Sequence, residues 1–338
     1  MKWLLDLLGI NVTQSRDELA EAIEHVVEGI EPRLRLVPGY QRKLLPALKK
    51  ALNHIDQTVE RIHGPLVLDR KNYIHVPEVN ALFASADELD SMFLNSGDIS
   101  NFLCQPRAVQ LDEAWALLCV CKKEKAILGM ELDGDKVRRD VPQTTVNFYD
   151  HKLMAPAADV DTVRSGIKKC IFDALITHGL QHIVRLKSQR RELEDQYRIL
   201  HARLRARQAA GNGLSSLLAS ADAASQPPLE DVADELQEME AKLQQLPPSQ
   251  AVLDVYLDEI RQIFDSPEAF IQVEEPCYRL NQMGVKVENN SLASAYTVCF
   301  SELQIAKVLR RVVALVQFRR ECPAKAGVAS HSGSYLHV

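Results

Sequence analysis

His178 and His182 stand four residues apart on a stretch of helical periodicity. That spacing lets two imidazoles share one metal ion. Cys170 falls on a similar azimuth, but eight residues away from His178. Along a helix that is about 12 Å, too far to join an ion whose bonds are near 2 Å. Without a third ligand both histidines read as ordinary helix residues. Asp133-Gly134-Asp135 could present paired carboxylates to Mg²⁺, yet turn chemistry accounts for the same residues. Cys119 and Cys121 read as packing residues. The basic set Lys307, Arg310, Arg311, Arg319 and Arg320 could bind an anion, and reads instead as the rim of a buried C-terminal helix whose long stems cover apolar surface. No G-x-x-x-x-G-K-[ST], H-E-x-x-H or G-x-S-x-G motif occurs, and Gly211-Asn212-Gly213 sits in a low-complexity stretch. The expectation is no catalytic residue, no cofactor and no metal. Groups brought together from distant positions are invisible to spacing alone.

The elements around these residues are clearer. Ser15-x-x-Glu18 is a capping box opening a helix to Glu31, with Leu19, Ile23, Val26 and Ile30 on one face. A second helix, Gln41 to Ile62, aligns Leu48, Leu52, Ile55, Val59 and Ile62. The first carries six acids and one Arg, the second five bases and two acids, so an antiparallel N-terminal helical hairpin is expected over residues 1–64. The segment "PLVLDRKNYIHV" reads as extended, and Ser85-x-x-Glu88 caps a short helix through Met92 and Phe93. From Trp115 the pattern turns β-like, with Asp133-Gly134 as a hairpin turn, and a meander of about three strands is expected. A second β region covers "AFIQV", "CYRL", "GVKV" and "YTVCFS". The run "ELQIAKVLRRVVALVQFRR" reads as a final, well-buried helix.

Between the β regions lies a long helical insertion. Val160, Val163, Ile167, Ile171 and Ala174 share a face, and Gly179 kinks the helix or admits a close neighbour. From Ile183 to Arg207 there are eight Arg or Lys and three Asp or Glu, a net +5. Ile183, Leu186, Leu193, Tyr197, Leu200 and Leu204 occupy heptad a and d positions, interrupted by Arg190. Helical from Val160 to Arg207, this element would reach about 70 Å, more than a small domain spans. After an Ala/Ser/Gly-rich stretch, "LEDVADELQEMEAKLQQL" has six acids and one Lys, a net −5. Leu229, Val232, Leu236, Met239, Leu243 and Leu246 alternate by three and four along it. The matching seams and opposite charges predict an antiparallel coiled-coil hairpin.

The expected fold class is therefore α+β, predominantly helical. It comprises the N-terminal hairpin (1–64), an α+β body with a small antiparallel sheet from two β meanders (65–157 and 265–320), and an inserted long helix with its coiled-coil hairpin (158–264). A flexible tip over 208–228 and a disordered tail over 321–338 complete the organisation. With 46% hydrophobic and 25% charged residues the composition is that of a globular protein. A net charge of −6 lends no support to a dedicated nucleic-acid binder. Seven cysteines suggest no disulfide framework, which points to a reducing, cytoplasmic setting. The start, "MKWLLDLLGI", is too short and too acidic in its sequel for a signal peptide. It reads as a packed first helix, with peripheral membrane docking through residues 1–10 as the lesser reading.

Function is then expected to be non-enzymatic: a scaffold or interaction protein that forms a homo-oligomer or binds a protein partner through its projecting coiled-coil arm. The alternative is nucleic-acid association through Arg198, Arg203, Arg205, Arg310 and Arg311, although Tyr197 is the only aromatic among the arm's arginines. A third reading is an enzyme of unidentified reaction on the β body.

Overall fold

The computed structural model describes residues 16–106, 108, 111–133, 136–211, 229–245, 252–287, 295–306 and 309–319. Residues 1–10, Gly134 and Asp135, most of the 208–228 tip, Leu246, Lys307, Arg320 and the 321–338 tail lie outside them. The fold is α+β, built from helices and an antiparallel sheet. The chain divides into two compact units. One comprises residues 50–174 and 266 onward, with those before 19; the other comprises 19–49 and 175–265.

The second unit is helical. Helix α1 (Arg16–Ile30) buries Leu19, Ile23, Val26 and Ile30, the face its periodicity predicts. A short 3-10 turn (Pro32–Leu36) leads to α2 (Tyr40–Glu60). Ile23 and Val26 share a small apolar cavity with Leu48 and Leu44, so the two helices run antiparallel there. Arg35 of the connecting turn binds Glu24 at 3.0 Å and Glu28 at 2.7 Å, whereas Lys43 of α2 pairs with Asp254 at 3.0 Å rather than with an acid of α1. Helix α7 (Val160–Gly211) enters this unit from residue 175 onward. Gly179 of α7 admits Ile30, whose Cδ1 would lie 2.6 Å from an added Cβ, and Gly29 likewise admits Ile176. The glycines allow a close helix crossing, the second of the two roles expected for Gly179.

The first unit is a sheet with helices. Strand β1 (Leu66–Val67) is followed by α3 (Arg70–His75), α4 (Pro77–Leu82), α5 (Ala86–Asn95) and α6 (Gly97–Leu103). Half of the expected extended run over 65–76 is thus helix. Asp69 supplies the reason: its side chain accepts from Asn72 N at 2.6 Å and caps α3. The Ser85 box forms as predicted, with Ser85 Oγ accepting from Glu88 N at 3.1 Å.

Instead of a three-strand meander, β2 (Glu113–Asp133) and β3 (Lys136–Ala157) make one long hairpin, paired from Trp115↔Ala157 to Asp133↔Lys136. The second β region gives β4 (Ile271–Glu274), β5 (Cys277–Leu280) and β6 (Tyr296–Cys299), and two further strands follow, β7 (Ser301–Ile305) and β8 (Leu309–Arg319). The main sheet runs β3-β2-β8-β7-β4, with β1 parallel to β8, so segments on both sides of the helical insertion join in one sheet. β5 and β6 form a separate ladder.

The expected C-terminal helix is therefore strands β7 and β8. Val312, Val313, Ala314, Leu315 and Val316 are all buried, a continuous run rather than one stripe. Both faces of a central strand are covered, so its sequence reads as uniformly apolar, and such a run mimics a broad-faced helix. On one face Val312, Ala314, Val316 and Phe318 join a core with α3–α6 residues such as Leu82, Leu89 and Phe93, and with Tyr278 and Val298. Toward the other face, α7 brings Gly166 to 3.4 Å from Ala155, measured from an added Cβ, and Lys168 binds Asp56 at 2.7 Å.

Candidate functional site

Each unit centres on one buried carboxylate. In the sheet unit this is Glu302 of β7, 2% exposed. Strand pairing carries it opposite Val312 of β8 and Glu274 of β4. Lys122 Nζ of β2 contacts its Oε1, Tyr278 OH donates to Oε1 at 2.9 Å, and Arg310 Nε donates to Oε2 at 2.7 Å. Arg310 also binds Glu274 at 2.8 Å. Lys122 and Lys286 both lie 4.9 Å from the Tyr278 ring centroid, and Lys286 binds Glu124 at 2.7 Å. Burial pushes the Glu302 pKa up, but bonds from Lys122, Tyr278 and Arg310 outweigh it and hold it below the ordinary carboxylate range. Burial equally opposes the Lys122 ammonium; hydrogen bonds to Glu302 and Tyr278 win and raise its pKa. The group is a charge-satisfied network, with no acid or base left poised for proton transfer near neutral pH.

In the helical unit the carboxylate is Glu31, 4% exposed, between α1 and the 3-10 turn it caps. Arg33 Nε donates to Oε1 at 2.8 Å and Lys187 Nζ of α7 contacts Oε2. Lys187 stands 5.6 Å over the Tyr256 ring of α9 (Val252–Asp265). The Arg33 hydrogen bond leads in depressing Glu31, with a pKa of about 2. Beside this group lies a groove of about 430 Å³ lined by Leu186, Gln189, Arg190, Leu193, Val252 and Tyr256, among others.

The expected seam residues differ in burial. Ile183 and Leu200 are buried, while Leu186, Leu193, Tyr197 and Leu204 are half-buried along α7. In α8 (Leu229–Gln245), Leu236 and Met239 are half-buried between exposed neighbours. Leu229, Val232 and Leu243 lie on that helix, with side chains outside the described set, as does all of Leu246. What meets α7 first is α9: Glu259 Oε2 sits 2.8 Å from His182 Nε2, and Tyr256 follows at Lys187, so α9 runs antiparallel to α7.

The structure separates the five arginines of the nucleic-acid alternative. Arg198, Arg203 and Arg205 are exposed on α7, Arg198 being 3.4 Å from Asp195. Arg310 and Arg311 lie on β8, not on a helix, and both are engaged: Arg310 with Glu302 and Glu274, Arg311 with Asp150 at 2.8 Å and with Cys121 Sγ. A strand and an ion pair replace the solvated helical rim expected of them. Cys277 and Cys299 correct the cysteine reading, since they form a disulfide across the β5–β6 ladder. Pairing of the two segments at one register position creates it, and spacing in sequence carries no trace of that. Cys119 behaves as read: burial pushes its thiol up to about 12. His182 pairs with Glu259, and burial pulls the His178 pKa down.

The two carboxylate clusters escape spacing arguments because Lys122 and Glu302 stand 180 positions apart, and Glu31 and Lys187 156. The one trace is an acid inside an otherwise apolar run, as Glu302 is in "YTVCFSELQI". Among the described residues no helix is long and apolar enough to cross a membrane. Comparison with family models, curated proteins and solved structures yields no match.

Proposed function

We propose that this protein works by association, and that the distal part of α7 with α8 is its docking arm for a protein partner or a second copy. One observation carries the reading. α9 begins at Val252, level with the Leu186–Gln196 part of α7, yet α7 runs on to Gly211 with its apolar stripe intact at Tyr197, Leu200 and Leu204. Helix α8 precedes α9, carries the complementary charge and has Leu236 and Met239 at seam spacing. Folding α8 back along the distal part of α7 continues the antiparallel course that α9 takes, and it neutralises the +5 strip with the −5 strip. The resulting arm buries its own seam and offers flanking surfaces to a partner. A cytoplasmic setting rested on the cysteines, and the Cys277–Cys299 bond weakens that support.

The experiment is native purification of the full chain, followed by its mass in solution and the mass spectrometry of co-purifying species. Leu200→Glu with Leu204→Glu should strip a specific partner from the protein while the sheet unit keeps its fold. A co-purifying partner that survives this double substitution rejects the arm. Steep loss of nucleic acid with salt, abolished by charge reversal at Arg198, Arg203 and Arg205, would replace this reading with the nucleic-acid one.

A further inference from the structure

We infer that two copies of this chain pair edge to edge through β2, joining their β2–β3 ribbons into one continuous sheet. The inference uses only the sheet unit and is independent of the helical arm.

β2 has two different edges. One pairs with β3 along its whole length. The other pairs with β8 only from Glu113↔Arg319 to Val120↔Val312. From Cys121 to Asp133 that edge has no strand partner among the described residues. An unpaired edge presents a row of N–H and C=O groups, a template for another strand. An isolated two-stranded ribbon is also marginal in water.

The outer edge of β3 is guarded. Register shifts at Trp115/Leu117, Cys119/Cys121 and Gly129/Glu131 each place an extra residue on β3, so every bulge of the hairpin lies on that strand. Ala155, Asp150 and Asp140 take positive φ of 50°, 56° and 58° at these bulges. Pro142 removes one donor from the same edge. Further along, Val146 N donates to Gly284 O and Lys286 N to Thr144 O, each at 2.8 Å. Over 121–133 β2 has no bulge and no Pro, and its only guards are the charges of Lys122, Lys123 and Lys125. It carries Leu128 at 69% and Met130 at 66% exposure.

The sequence of β2 is complementary to itself. In an antiparallel two-fold pairing centred on Leu128, Leu128 meets Leu128 of the second copy and Ala126 meets Met130. Lys125 meets Glu131, and Lys123 meets Asp133. Successive positions alternate between faces, so the two charge pairs fall on one face with Ile127 and Gly129 between them, and Leu128 with Ala126 and Met130 falls on the other, where Glu124 stands opposite Leu132 at the ends. A shift of one residue would set Lys125 against Leu132 and lose both sets at once. A two-fold interface must be self-complementary in this way, with residue i meeting j and j meeting i.

The test is light scattering on the full chain at micromolar concentration. The expected mass is twice 37.9 kDa. Lys125→Glu should return it to the single-chain mass, and Lys125→Glu combined with Glu131→Lys should restore the doubled mass. Leu128→Cys, placed on the two-fold axis, should crosslink on mild oxidation where the parent chain does not. A parent chain of single mass overturns the proposal. So does a dimer untouched by Lys125→Glu, or a charge-swapped chain that stays single. A dimer that ignores Lys125→Glu but dissociates on Leu200→Glu with Leu204→Glu belongs to the helical arm.

Discussion

Glu302 and Glu31 invite a direct comparison. Each is a buried carboxylate held by one Lys and one Arg, with a tyrosine ring under the ammonium. Their surroundings differ. Lys122, the partner of Glu302, is itself mostly buried, and Tyr278 adds a third bond to the carboxylate. Lys187 and Arg33, the partners of Glu31, keep much of their surface in water. A cation that can rehydrate survives the loss of its acid; one that cannot becomes an uncompensated buried charge. The same set of residue types thus locks the sheet unit tightly and the helical unit more loosely.

The sharpest test of this difference is Glu302→Ala. Stranding Lys122 should cost about 3–5 kcal/mol, read as a shift in denaturant midpoint. A cost under about 1 kcal/mol would show that Lys122 finds water as readily as Lys187 does. Next is reduction of Cys277–Cys299, which spans a sequence separation of 22. Opening that loop should destabilise the sheet unit by about 3 kcal/mol and leave the helical unit unchanged. Amide exchange of α1 and α9 before and after reduction checks the contrast.

Glu31→Ala should cost less than Glu302→Ala, about 2–3 kcal/mol, because its cations are half in water. Its pH dependence has a definite sign. With the folded pKa at about 2 and the ordinary value at 4.5, the unfolded chain takes up its proton first on acidification. The stabilisation is complete above pH 4.5 and drains away as pH falls toward 2. Acid titration of the parent chain and Glu31→Ala should give stability curves that converge at the low end. Curves that stay parallel would mean the carboxylate is not held in its charged form. The smallest effect is expected at the α1–α7 crossing. Gly179→Ala would press on Ile30 Cδ1, the end of a side chain that can turn, so a loss of about 1 kcal/mol is expected, relieved by Ile30→Val. A loss of the size seen for Glu302→Ala would mark the crossing as rigid.

Legibility in the sequence followed the range of the interactions. Helices α1, α2, α5 and α7 were readable because the 3.6-residue period and the Ser85 box act within one or two turns. The ladder ending at Asp133↔Lys136 agrees with a turn read at Asp133-Gly134, Gly134 itself lying outside the described residues. The Asp69 cap of α3 was equally local but lay hidden in an apolar-looking stretch. Of the candidate site, the α7 stripe was legible, while the partners of Arg310 and Arg311 were not. Arg310 meets Glu274 across 36 positions and Arg311 meets Asp150 across 161.

The amino-acid order alone determined the amphipathic stripes of the helical unit and the opposite charges of its strips, since each depends on neighbours a few residues apart. Tertiary structure decided the rest. Val312 to Val316 suits a buried helix or a central strand, and pairing with β2 and β7 selects the strand. Pairing likewise brings Cys277 to Cys299 and Lys122 to Glu302, because backbone ladders fix register between segments whose separation along the chain sets no local preference.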